Sequence, residues 1–111
     1  MKFDDSYKER VFEMSLPLGA EINKGDFGMM CVSALRYAQG RMTYIVGSTI
    51  DFVEKYITYL PMNSLLTMRR DINEMKGRDF GMPVDRDCWV AFKSKVDAEI
   101  KRRENSTDNR T

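Results

Sequence analysis

The sequence contains no histidine. That removes the side chain most often used as a general base near neutral pH, and the commonest protein metal ligand. Cysteine is scarce: Cys31 and Cys88 stand far apart and fit no Cys-x-x-Cys metal or redox spacing. Both fall in apolar helical patterns, where a free thiol behaves as a small buried hydrophobe, so reduced thiols and a cytoplasmic setting are expected. Neither sign of charge dominates. Eighteen Lys and Arg against 17 Asp and Glu leave a formal net charge of +1, which excludes both a polyanionic DNA mimic and a strongly basic nucleic-acid binder. Long hydrophobic runs are missing as well: the most apolar stretch, residues 42–60, is broken by Asp51, Glu54 and Lys55, so no membrane span is expected. The acidic opening Met1-Lys2-Phe3-Asp4-Asp5 does not read as a secretory leader. The glycosylation-type triplets at Asn105 and Asn109 are then chance matches. No segment alternates apolar and polar residues as a half-buried strand does.

What is present is helical periodicity. At 111 residues the chain fits one domain, and 42% hydrophobic with 32% charged residues is an ordinary globular balance. Ser6 and Glu9 form a capping box ahead of Tyr7, Val11 and Met14, predicting a helix over residues 6–14 that ends at Leu16-Pro17. Asp26 is the expected N-cap of a second helix, with Phe27, Met30, Cys31, Ala34, Leu35 and Ala38 as its inner stripe. Gly40 suits the left-handed position that closes a helix. Thr43 is the expected cap of a helix over residues 44–59, with Val46, Ile50, Val53, Ile57 and Leu60 on its main face. Ile45, Phe52, Tyr56 and Tyr59 widen that face, which implies a central helix touched on more than one side and able to serve a homodimer as well as a monomer core. Pro61 stops it, and Asn63 or Ser64 caps the next helix, striped by Leu65, Met68, Ile72 and Met75. A charged turn leads past Pro83 to a last helix capped by Asp85 or Asp87 and striped by Trp89, Phe92, Val96 and Ile100. The expected architecture is all-α: a compact bundle of four to five short helices. It divides into an N-terminal helix-and-loop arm (1–25), a helical core (26–103) and a disordered C-terminal tail (104–111).

Nothing in the chain names a reaction. Ser33, Ser48 and Ser64 lack a nucleophile-elbow context, and Gly40-Arg41 resembles neither a P-loop nor a dinucleotide fingerprint. Asp51 with Glu54, or Asp85 with Asp87, could hold a divalent cation, but charged helix faces and caps explain them more simply. No enzyme activity, no cofactor and no metal are expected. The candidate site is Arg36, Tyr37, Arg41 and Tyr44 around Gly40, with Asp71 and Arg86 from two later segments converging on it. Guanidinium groups fork onto carboxylate or phosphate, and tyrosine rings stack on bases or on arginine. The competing structural reading has the two tyrosines wedging the helix corner while Arg36 and Arg41 bond helix-end carbonyls or pair with Asp71 and Asp85. A helix-turn-helix is disfavoured because the helix after the corner is patterned for burial. Arg69, Arg70, Lys76, Arg78, Arg86, Lys93 and Lys95 could touch phosphate, but acidic residues are interleaved among them. Met29, Met42 and Met62, expected on the surface, suit an adaptable protein-binding face.

The segment Arg36-Tyr37-Ala38-x-Gly40-Arg41-x-Thr43-Tyr44, with Arg70-Asp71-Ile72, Phe80-Gly81-Met82 and Asp85-Arg86-x-x-Trp89, resembles an uncharacterised family of small phage and prophage proteins. The resemblance covers roughly residues 31–92 and departs from the family pattern at Gln39 and Val84. It implies a phage or mobile-element origin and no particular activity. The expectation that follows is a non-enzymatic interactor or inhibitor of a host protein, with anti-defence among the roles. A binder of a nucleotide-like anionic ligand is the alternative, and a nucleic-acid-binding accessory protein the second.

Overall fold

A computed structural model describes residues 23–108, with side chains to residue 106. The expected helix over residues 6–14 lies outside the described residues. Four α-helices follow in order: α1 (Lys24–Ala38), α2 (Thr43–Lys55), α3 (Met62–Glu74) and α4 (Pro83–Asp108), with a 3₁₀ turn (Gly77–Phe80) between α3 and α4. No strand occurs among the described residues. The all-α class therefore holds, with one change of proportion: α4 is 26 residues long and stays helical to Asp108, past the boundary expected at 104.

α1 and α4 each pack against both α2 and α3, and the 3₁₀ turn lies against α4. The stripes of the last three helices meet at the centre: Val46, Val53, Leu60, Leu65, Phe92 and Val96 are fully buried, and Met68, Trp89 and Ile100 nearly so. Fully burying each large apolar side chain contributes about 1.5–3 kcal/mol, so this cluster holds the bundle together. The face of α1 is rotated from its expected stripe. Gly28 and Val32 are buried while Ala34 is exposed and Met30 half-exposed, because α1 divides its contacts between two neighbours. Gly28 marks where α1 crosses the start of α3: a methyl group there would overlap the Ser64 hydroxyl and lie 3.1 Å from Pro61 Cδ.

The residue that precedes each helix lies one to five positions before the expected cap. Asn23 caps α1, accepting the Asp26 N–H at 2.8 Å, and Asp26 sits on the third residue instead. Met42, Pro61 and Met82 precede α2, α3 and α4, so Thr43 and Asp85 lie inside their helices, on the first and third residues. α2 ends at Lys55, short of residue 59; the Tyr59 and Leu60 N–H groups turn back to the Tyr56 carbonyl and deliver Leu60 to the core.

Candidate functional site at the helix corner

The corner is built by glycine. Gly40 has φ +70°, the left-handed region that a Cβ disfavours, and a Cβ there would also come within 3.1 Å of the Arg78 carbonyl oxygen. The 3₁₀ turn therefore rests on the α1–α2 corner. Asp85 fixes the start of α4 against it. Its Oδ2 accepts the Met82 N–H at 3.1 Å and the Thr43 hydroxyl at 3.3 Å, and the residue is 1% exposed. Gly81, at φ +75°, leaves room for that carboxylate. Residues 40–44 and 78–85 thus share one end of the bundle.

The six predicted site residues fall into separate groupings at this end. Arg36 forks onto Asp71, Nε to Oδ2 at 2.7 Å and Nη2 to Oδ1 at 3.3 Å, tying α1 to α3. The carboxylate holds the guanidinium above its usual pKa range, through the hydrogen bond first and its charge second. This pair lines an open cleft of about 260 Å3 with Gln39, Glu74 and Met75. Arg41 donates from Nε to the Tyr37 carbonyl at 3.1 Å and lies over the Tyr37 ring, 4.4 Å from its centroid. It caps the end of α1 and does not pair with Asp85. Arg86 lies over the Phe80 ring at 5.1 Å and does not line the Arg36–Asp71 cleft. Tyr37 and Tyr44 do not wedge the corner: they are 60% and 66% exposed, because the steric work falls to Gly40 and to Ala38, which is fully buried.

Met42 and Met29 are exposed as expected and Met62 is half-buried; Met82 is exposed and was missed, since a residue outside a periodic stretch carries no burial signal. Sequence reasoning also missed a polar cluster at the other end. Glu99, 6% exposed, accepts two hydrogen bonds from Arg102 (2.9 and 2.6 Å) and one from Arg103 (2.7 Å). Arg103 Nη2 reaches on to the Ile57 and Thr58 carbonyls at 3.2 and 3.1 Å, satisfying the turn after α2. The Arg102 hydrogen bond leads in lowering the Glu99 pKa to about 2, helped by Arg103 and opposed by burial.

Of the carboxylates considered for a cation, Glu54 pairs with Lys95 at 3.0 Å and Asp85 is committed as above. Among the described residues no three metal-ligating side chains gather, and no helix is long and apolar enough to cross a membrane. Comparison of the chain with protein-family models, with curated proteins and with solved structures gives no match.

Proposed function

We propose that this chain is an accessory protein of phage or mobile-element type that acts by binding a host protein, not by catalysis. Inhibition of a host defence is one role it would suit. The observation that carries the reading is the exposure of Tyr37, Met42, Tyr44, Met82 and Val84, each 55% or more, at the end of the bundle that Gly40 and Asp85 hold together. Large apolar side chains gathered in one place cost solubility unless a partner covers them. Tyrosine and methionine also give contact area with adaptable fit. The small-anion reading is weaker, because Asp71 already occupies the Arg36 fork. The test is affinity capture from host lysate with wild type beside Tyr44→Asp, both verified as folded by their melting temperatures. A stoichiometric host protein retained by wild type and lost from the variant supports the proposal. Capture that is equal for both, or none, refutes it.

A further inference from the structure

Among the described residues, three buried side-chain polar atoms have no hydrogen-bond partner: Asp85 Oδ1, Trp89 Nε1 and Asp97 Oδ1. The surroundings of Asp97 account for it, since its side chain is 40% exposed and stands between Arg69 and Lys93, at 3.8 and 3.5 Å. The other two have no such outlet. Asp85 and Trp89 are each 1% exposed. They lie four residues apart on α4, which places them on one face with about 5–6 Å between their Cβ atoms. The carboxylate oxygen accepts and the indole N–H only donates, so the two atoms are complementary. Burying either without a partner carries its full desolvation cost, which folded proteins meet with a direct hydrogen bond or an ordered water. Neither atom bonds the other, so they stand beyond direct hydrogen-bonding distance.

We propose that a single buried water molecule bridges Asp85 and Trp89, donating to Oδ1 and accepting from the indole N–H. The inference is independent of the protein-binding reading above. Two hydrogen bonds of about 2.8–3.0 Å in series span a gap that one cannot. The two atoms also select the ligand's chemistry. A cation would suit the carboxylate but would face the positive end of the indole N–H, and an anion would be repelled by the carboxylate. A neutral molecule that both donates and accepts is required, and burial of both residues limits it to the smallest one. Oδ2 of the same carboxylate already accepts the Met82 N–H and the Thr43 hydroxyl. The water therefore ties Trp89, in the core, to the junction of α2 and α4 on which Tyr44, Met82 and Val84 are mounted.

The test uses the 15N-labelled full chain. It has a single tryptophan, so one indole N–H resonance reports this site alone. Cross-peaks from that proton to water are recorded in NOE and ROE spectra of wild type and Thr43→Val, each checked by melting temperature. Opposite signs in the two spectra mark a long-lived bound water, whereas equal signs mark proton exchange with solvent. Opposite signs are expected in wild type and should persist in Thr43→Val, which removes the one nearby hydroxyl able to imitate water by exchange. Loss of the cross-peak in Thr43→Val would assign it to that hydroxyl and overturn the proposal. Equal signs, or no cross-peak from the resolved indole proton, would overturn it as well. If Thr43→Val does not fold, a crystal of wild type at about 1.5 Å decides the same point. Solvent density within about 3.2 Å of both Oδ1 and Nε1 supports the bridge, and its absence, or a direct bond between the two, refutes it.

Discussion

Replacing Glu99 with glutamine removes one charge from the far end of the bundle while keeping the side chain's size. In the folded protein the carboxyl pKa is lowered from 4.5 to about 2 by the Arg102 and Arg103 hydrogen bonds. A folded-state pKa below the unfolded value means that the ionised carboxylate favours folding. The contribution is fully present above about pH 4.5 and is lost as pH falls through about 2. A shift of this size corresponds to about 3 kcal/mol at neutral pH as an upper bound. Arg102 is 61% exposed and its share is screened by solvent, so about 1–2 kcal/mol is the expected cost of Glu99→Gln. For a domain of this length that lowers the melting temperature by roughly 4–16 °C. Melting of wild type and variant, followed by circular dichroism between pH 2 and 7, reads the effect directly. The two curves should be furthest apart above pH 5 and should converge toward pH 2. A constant separation across that range would show that the ion pairs contribute nothing and that the substitution acts through packing. No separation at pH 7 would refute the cluster's role in tying α4 to the turn after α2.

Two glycines respond in opposite directions to the same change. Gly47→Ala, inside α2 with nothing within 4 Å of the added methyl, gains helix propensity and raises stability by about 0.5–1 kcal/mol. Gly28→Ala meets Ser64 and lowers stability by about 1–3 kcal/mol, measured from urea midpoints; a gain at Gly28 would disprove the close crossing of α1 and α3. Thiol labelling at pH 8 should modify Cys88 well before Cys31, whose pKa burial raises to about 12 and whose side chain is 1% exposed. Equal labelling rates in the native protein would show that α1 opens freely.

The periodic segments were legible because burial of a helix face is written locally, every third or fourth residue. Leu65, Met68, Ile72 and Met75, like Trp89, Phe92, Val96 and Ile100, were read from spacing alone and are all buried. Gly40 likewise declares the end of α1 through backbone sterics that need no neighbour, whereas Pro61, expected to stop α2, instead precedes α3, α2 having ended at Lys55. Helix starts were misread because Asp26, Thr43 and Asp85 suit either a cap or the first turn. Asn23 and Asp26 bond reciprocally at the start of α1, while Thr43 donates to Asp85 across to α4. Arg36 was correctly set outside the apolar stripe, and the sequence offered Asp71 as one partner among several. Only the crossing of α1 and α3 decided that choice, across 35 residues. The reach of Arg103 to the Ile57 carbonyl, 46 residues away, had no local sign at all. By itself the sequence determined which faces of α2, α3 and α4 are buried, because water penalises apolar surface wherever it lies. The tertiary structure decided which charges are spent inside the fold and which remain on its surface, because pairing depends on how helices cross, and no periodicity encodes that.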